Sequence, residues 1–297
     1  MKTNTVQKVG ISMANPITKK PPWLRKKINY STHQAMDNLL HKTKLHTVCQ
    51  EAMCPNISEC FANRIATFLI LGNICTRHCT FCNISKGKPL AVDSFEPQRV
   101  ANAIEELGLK YVVITSPTRD DLEDGGAEHF IKVVEAIKEM DSTIEVEILI
   151  PDMRGDSKAW ESVAQSGADV IAHNIETVPR LYPIRKGASY SRSLDLLKAI
   201  SPHKTTKSGI MLGLGEEEHE VIAVMDDLLD VGCSYLSIGQ YLSPSSKHQE
   251  VVEFVEPSRF EYFKKVGLEM GFEAIQSSPY TRSSYMADRY DIKLAES

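Results

Sequence analysis

Six of the chain's seven cysteines fall between Cys49 and Cys82, in two sets of three. The downstream set, Cys75-Thr-Arg-His-Cys79-Thr-Phe-Cys82, has the spacing C-x3-C-x2-C. The upstream set, Cys49, Cys54 and Cys60, has the spacing C-x4-C-x5-C. Thiolates are soft ligands, suited to iron–sulfur clusters or zinc. A cubane [4Fe-4S] cluster held by three thiolates keeps one iron open to a small molecule, which a closed structural zinc site cannot do. Two local triads within 34 residues imply two metal sites, each short of one cysteine. One shared six-cysteine site is possible on paper, but each triad already matches one face of a cubane. Cys233 lies apart from both sets, before a predicted strand, and reads as a buried structural thiol.

The elements that must position these ligands can be read from the apolar pattern. Strand candidates are Ala66–Leu71, Tyr111–Ser116, Ile144–Ile150, Asp169–Ile175, Lys207–Leu212 and Tyr235–Gly239. Each is short, apolar and rich in β-branched residues, as parallel strands covered on both faces should be. Helical spacing recurs between them, over Pro97–Leu107, Ala127–Met140, Ser157–Gln165, Ser191–Ile200 and Glu216–Val231, and a final helix is predicted over Ser258–Met270. Six β–α units, short of the eight of a full TIM barrel, predict an α/β fold built as a partial (β/α)6 TIM-type barrel with N- and C-terminal extensions. The expected parts are residues 1–62 with the upstream cysteines, 63–256 as the barrel, and 257–297 as a terminal helix and tail.

In such barrels chemistry gathers at the C-terminal ends of the strands. The downstream triad follows the first strand, at that end. Later strands run into Thr115-Ser116-Pro-Thr-Arg119-Asp120-Asp121, Pro151-Asp152-Met-Arg154, His173-Asn174-Ile-Glu176 and Gly239-Gln240-Tyr241. Taken singly, Asp120 or Asp121 is as well read as a helix cap, and His173 as a satisfied core histidine. Together they describe a polar rim beside a metal site. Arg154, Arg180 and Arg185 are candidates for carboxylate or phosphate contacts. The tail holds Arg282-Ser-Ser-Tyr285. Alone it reads as a capped turn. A serine oxygen, being a poorer iron ligand than a thiolate, also suits a ligand that must later let go.

Composition sets bounds. Apolar residues make up 42% of the 297 and charged residues 25%, ordinary for a globular chain. A net charge of −5 argues against general nucleic-acid binding. No run of 18 apolar residues suggests a membrane span, and the N-terminus lacks the apolar core of a secretory signal, so the expected compartment is the reducing cytoplasm. Lys2, Lys8, Lys19, Lys20, Arg25, Lys26, Lys27, Lys42 and Lys44 face only Asp37, which predicts a basic, flexible arm, with a short helix over Ser31–Lys42.

The C-x3-C-x2-C set, with Phe81 before its last cysteine, resembles the signature of the radical S-adenosylmethionine (SAM) superfamily. The upstream triad and the R-S-S-Y tail narrow this, because the chain from Pro22 to Asp288 resembles the lipoyl synthase family. The likeness extends over Tyr111–Gly126, Pro151–Gly155, His173–Pro183, Lys207–Gly215 and Ile238–Leu242. Asn73 and Asn83 depart from it, standing where many relatives carry Asp, and Ser278-Pro279 replaces the usual Gly-Pro.

The resemblance implies that a [4Fe-4S] cluster on Cys75, Cys79 and Cys82 binds SAM and cleaves it reductively to a 5′-deoxyadenosyl radical. A second [4Fe-4S] cluster, on Cys49, Cys54, Cys60 and Ser284 (rather than Ser283), gives up two sulfurs. These enter at C6 and C8 of a protein-bound N6-octanoyl-lysine, at the expense of two SAM. Phe81, Thr115, Asn174 and Glu176 are the expected SAM contacts. Implied partners are octanoylated carrier domains (2-oxoacid dehydrogenase E2 subunits and the glycine-cleavage carrier protein), a ferredoxin or flavodoxin-type reductant, and an iron–sulfur carrier that rebuilds the spent cluster. Rival readings are a biotin-synthase-like or methylthio-transferring radical SAM enzyme, and a non-catalytic iron–sulfur carrier or zinc module. A polar rim at every strand end is more than a carrier needs.

Overall fold

Short β-branched runs alternating with amphipathic helices give one main sheet wrapped by helices, beside a two-stranded sheet in the loop that carries the downstream triad. The computed structural model describes residues 19–25, 40, 42–62, 67–288 and 290, with side chains described for all of these except 61 and 62. Most of the expected helix over Ser31–Lys42 and most of the basic arm lie outside the described residues; of that helix only Leu40 and Lys42 are described, both helical. In chain order the elements are β1 (His46–Thr47), α1 (Val48–Glu51), α2 (Ile57–Ala62), β2 (Thr67–Leu69), β3 (Ile74–Cys75), β4 (Ser85–Lys86), α3 (Glu96–Leu107) and β5 (Tyr111–Thr115). There follow α4 (Ala127–Met140), β6 (Glu145–Leu149), α5 (Ser157–Ala164), β7 (Val170–Ala172), α6 (Tyr190–Ile200), β8 (Thr205–Leu212), α7 (Glu218–Asp230), β9 (Tyr235–Gln240), α8 (Pro257–Met270) and β10 (Ala274–Ser278).

The sheet order is β1-β2-β5-β6-β7-β8-β9-β10. Every pairing from β2 to β10 is parallel, and β1 alone pairs antiparallel, His46 with Leu69. The ends, β1 and β10, do not pair with each other, so the barrel is open. All six expected β–α units are present. A seventh parallel strand, β10, adds to them beyond the terminal helix, in register Ala274 with Tyr235 through Ser278 with Gly239. Only Ile275 and Ser277 of β10 are buried, so this edge strand shows no apolar run in sequence.

Local chemistry fixes the helix ends. Asp156 caps α5 by accepting from the Lys158 and Ala159 amides, and Ser189 caps α6 by accepting from the Arg192 amide. Gly108, at φ +63°, closes α3 in the left-handed conformation. The core lies between sheet and helices, where Ile104, Ile114, Phe130, Ile148, Ile171, Leu197, Leu236 and Phe260 are fully buried. Inside the barrel, the buried Lys207 donates to both oxygens of the buried Glu147, at 3.0 and 2.8 Å. Tyr111 donates to the same carboxylate at 2.7 Å, so the buried charge is paired and hydrogen-bonded. Among the described residues no helix is long and apolar enough to cross a membrane.

Candidate active site

At the end of β2 the chain turns sharply, with Leu71 in the left-handed region at φ +63°. Two buried side chains hold that turn. Glu96 accepts from the Leu71 amide at 2.8 Å, and Arg119 donates to the Leu71 carbonyl at 3.0 Å. His129 shares the Glu96 carboxylate at 2.7 Å. From this fixed exit the loop carries Cys75, Cys79 and Cys82, all half-buried and all within electrostatic reach of one another.

Arg77, inside the motif, is the loop's main anchor. Buried, it forks onto Asp120 at 2.7 and 2.9 Å and reaches Asp152 at 2.5 Å. Arg192 of α6 takes the other Asp152 oxygen at 2.8 Å. Burial alone would raise the Asp152 pKa, but the hydrogen bond from Arg77 and the surrounding positive charge hold it at about 2. The triad loop is thus tied to the ends of β5 and β6 and to α6 by bidentate, charge-assisted bonds. Sequence reasoning placed Asp120 and Asp152 on the rim but missed Arg77, whose two partners lie 43 and 75 residues away.

The strand-end residues divide. Asp120 and Asp121 cap no helix; Asp121 pairs with Arg119 at 2.9 Å. Asp124 is the turn residue, accepting from the Gly126 and Glu128 amides. His173 is a satisfied core histidine, its Nδ1–H bonded to the Ile150 carbonyl at 2.8 Å and its Nε2 accepting from Ser193 at 2.9 Å. Burial, with Arg185 nearby, lowers it to about 4 and keeps it neutral. Gln240 ties three carbonyls, those of Leu212, Tyr241 and Glu253. Arg154 donates to the Asp120 carbonyl, and Arg180 pairs with Glu220. Arg185 reaches the Asn174 and Ile175 carbonyls and lies within electrostatic reach of Cys79 and Glu176. Cys233 is buried, bonded to the Tyr235 carbonyl and pushed up to about 12, as a structural thiol should be.

The upstream triad rests on short segments. Cys49 lies on α1, Cys54 follows it, and Cys60 lies on α2; the first and last are buried and Cys54 packs against the same core. Cys49 and Cys54 sit within electrostatic reach of each other, and burial is the main cause that raises Cys49 to about 11. Glu51 ties the two triads together. Its carboxylate accepts from Asn73 at 3.0 Å and its carbonyl from Asn83 at 2.8 Å. In this chain an aspartate at 73 would set a second carboxylate against Glu51.

A cavity of about 460 Å³ opens between the triads and the strand ends. Its lining includes Cys49, Cys54, Cys82, Phe81, Thr115, Asn174, Glu176, Ser283 and Ser284, and does not include Cys60, Cys75 or Cys79. All four expected SAM contacts therefore face one space. Thr115 donates to the Leu149 carbonyl at 2.8 Å, and the Asn174 amide donates to Glu176 at 3.1 Å. Glu176 stands at φ +70° in a parallel bridge with Ile210. Ser283 donates to Asn174 at 2.7 Å, whereas Ser284 has no hydrogen-bond partner among the described residues. Gly239 lets the tail in, because a Cβ there would collide with the Thr281 carbonyl.

The donor set fits two clusters. Among the described residues no three His, Cys, Asp or Glu side chains are placed to hold a single metal ion. A cubane spreads its thiolates wider than one ion does, and both triads are thiol-only, the donor chemistry of iron–sulfur ligation. Burial raises Cys49 and Cys82 to about 11, so metal binding must displace their protons. Arg282, within electrostatic reach of Cys54, sets a cation beside the upstream triad. The buried Ser116 hydroxyl, lining the same cavity, and the buried Arg185 Nε–H have no partner among the described residues, as expected of groups awaiting a polar ligand.

The sequence profile of the Radical SAM superfamily matches residues 69–228. Among solved structures, methylornithine synthase superposes with a TM-score of 0.55 at 15% identity, covering 76% of this chain and 78% of that one. Streptococcus suis SuiB bound to S-adenosylmethionine gives 0.56 at 14% identity over 83% of this chain, which spans 60% of that protein's length. These likenesses concern the fold. Closer are the lipoyl synthases of Geobacter metallireducens, 56% identical over 94% of this chain and 99% of that one, and of Caldicellulosiruptor saccharolyticus, 53% identical over 91% and 97%. At that identity and coverage, the chain belongs to the lipoyl synthase family of the radical SAM superfamily.

Proposed function

We propose that the chain builds the lipoyl cofactor by inserting two sulfurs, at C6 and C8 of an octanoyl chain amide-linked to a lysine of a carrier domain. One observation carries the reading. A single cavity is lined by members of both triads, by the strand-end residues and by the two serines of the R-S-S-Y tail. A cluster on Cys75, Cys79 and Cys82 would supply reductive cleavage of SAM to a carbon radical, and one on Cys49, Cys54, Cys60 and Ser284 would supply the sulfur. At about 460 Å³ the cavity has the size of a small-molecule site.

The chain's own residues do the rest. Asn174 and Glu176 present polar groups at the barrel rim for SAM, and Phe81 and Thr115 close the same side. Leu69, Ile210, Met211 and Leu242 give the cavity an apolar wall suited to an acyl chain. That wall excludes water from a site where a carbon radical would be quenched by stray hydrogen donors. Lys20 at the lining and Lys42 and Lys44 outside it set positive charge on the segment before the upstream triad. An acidic carrier domain (an E2 lipoyl domain or the glycine-cleavage carrier) is the partner that charge suits. A ferredoxin or flavodoxin-type protein supplies electrons, and an iron–sulfur carrier restores the spent cluster.

The test is an anaerobic reaction of reconstituted protein, SAM, a strong reductant and an octanoylated carrier peptide, read by mass spectrometry. The expected products are 5′-deoxyadenosine and a peptide with two hydrogens replaced by two sulfurs. Deoxyadenosine without sulfur insertion would keep the superfamily and defeat the assignment. Analysis should find about eight iron and eight acid-labile sulfide per chain, the content of two cubanes. Zinc without sulfide would defeat both cluster assignments.

A further inference from the structure

The tail that carries Ser284 does not hold its place alone. Tyr285, the next residue, donates its hydroxyl to Glu59 at 2.7 Å, and Glu59 immediately precedes Cys60 on α2. One side-chain bond thus joins the neighbours of two ligands that lie over two hundred residues apart. A second tie runs parallel to it: the buried Asn56 donates its amide to the Tyr280 carbonyl at 2.7 Å and accepts the Cys60 amide on its own carbonyl at 2.9 Å. Between these ties, Ser283 is committed to Asn174 at 2.7 Å. Ser284 is left facing the cavity. Beyond Tyr285 the Met286 carbonyl is held by Gln276 at 2.6 Å, and the Tyr290 ring stacks on Tyr235 under the Lys207 ammonium, 4.2 Å from its centroid. The tail is therefore pinned above and below, and the span with Ser284 answers to the Tyr285–Glu59 contact.

We propose that the Tyr285–Glu59 hydrogen bond is a latch that sets how firmly Ser284 holds the upstream cluster, and so how readily that ligand leaves. The proposal rests on Ser284 being a ligand. Its physical basis is that a hydroxyl bound weakly to iron stays bound in proportion to its effective concentration at the metal. A helix of six residues such as α2 has little stability of its own, so its position depends on such tertiary ties. Opening the latch frees both neighbours at once. Tyr285 and Glu59 are positioning residues, since neither need touch the cluster.

The experiment challenges the anaerobically reconstituted two-cluster enzyme with an iron chelator and follows iron release by absorbance, with the EPR signal of the reduced clusters recorded in parallel. Tyr285→Phe, which removes only the hydroxyl, should speed release of the upstream cluster's iron about tenfold, the worth of one hydrogen bond to a charged acceptor. Glu59→Gln, which keeps an accepting oxygen, should recover most of the wild-type rate. In a Ser284→Cys background, where a strong ligand replaces the weak one, Tyr285→Phe should have little effect. Release unchanged in Tyr285→Phe, with Ser284→Ala accelerating it, would overturn the latch alone. An equal acceleration in the Ser284→Cys background would also overturn it, reducing Tyr285 to a packing residue. Release and EPR unchanged in Ser284→Ala would overturn the ligand assignment and the latch with it.

Discussion

The two cysteine triads sit side by side but are held in different ways. The downstream loop, Cys75–Cys82, is fixed by buried ions, with Arg77 forked onto Asp120, joined to Asp152, and Arg192 behind it. The upstream segment, Cys49–Cys60, rides on helices of four and six residues and is tied to its surroundings by separate hydrogen bonds, among them those at Glu51, Asn56 and Glu59. A centre that must return to the same geometry after each turnover gains from a charged, interlocked frame. A centre that is taken apart gains from ties that give way one at a time. The difference in anchoring matches the difference in fate that the proposed reaction assigns to the two clusters.

The most severe way to separate the regions is to remove a ligand from each. Cys79→Ala should abolish both SAM cleavage and sulfur insertion. Cys54→Ala should retain deoxyadenosine formation while losing the thiolated product, as read by chromatography and mass spectrometry. Loss of SAM cleavage in both would show that the two sites do not work separately.

Next in size is the frame itself. Arg77→Met strips the cation from Asp120 and from Asp152, the latter 1% exposed. Removing one partner of a buried ion pair costs about 3–5 kcal/mol, towards the lower end here because Arg192 still pairs with Asp152. The expected result is a matching drop in denaturant stability together with weakened iron retention at the downstream site. Asn56→Ala, which breaks one tie at the upstream site, should cost only about 1–3 kcal/mol.

The contrast also marks what could be read from the sequence. The triads were legible because ligand spacing is local, and the six barrel strands because β-branched runs are local too. The frame was not, because Arg77, Asp120, Asp152 and Arg192 are ordinary charged residues until the fold brings them together. Asp120 and Asp121 looked like caps because a carboxylate after a strand commonly is one; here each meets an arginine instead. Strand β10 escaped notice because Ala274-Ile-Gln-Ser-Ser278 buries only alternate residues. Nothing in its local chemistry marks Ser284 as a ligand, since a serine in a polar tail carries no such sign; the family resemblance alone proposes it.

The pH dependence tests the same frame more gently. Asp152 is held at about 2, below the usual 3.8 of a free aspartate, against the upward pull of its burial. A depressed carboxylate pKa adds stability above its unfolded value and loses that contribution as pH falls from about 4 towards 2. The shift is worth about 2–3 kcal/mol. Urea midpoints measured between pH 5 and pH 2 should therefore decline, and Asp152→Asn should flatten that part of the curve. An unchanged slope would show that Asp152 is not what the arginines stabilise.

The smallest effect belongs to an arginine that the sequence ranked with the site. Arg180 is half-exposed and spends its guanidinium on Glu220, at 2.8 and 2.7 Å, and on the Gly215 carbonyl at 2.8 Å. Exposed pairs of this kind contribute about 0.2–1 kcal/mol and weaken further in salt. Arg180→Ala should therefore shift stability by no more than that and leave SAM affinity unaltered. Arg185, only five residues on, faces inward, with its Nη1 on the Asn174 carbonyl at 3.0 Å and its charge felt by Cys79 and Glu176. Arg185→Ala should weaken SAM binding in an equilibrium titration of the reconstituted enzyme, where Arg180→Ala does not. Equal losses from both would place the carboxylate-binding surface outside the barrel, and the division between an interlocked site and its solvated exterior would have to be redrawn.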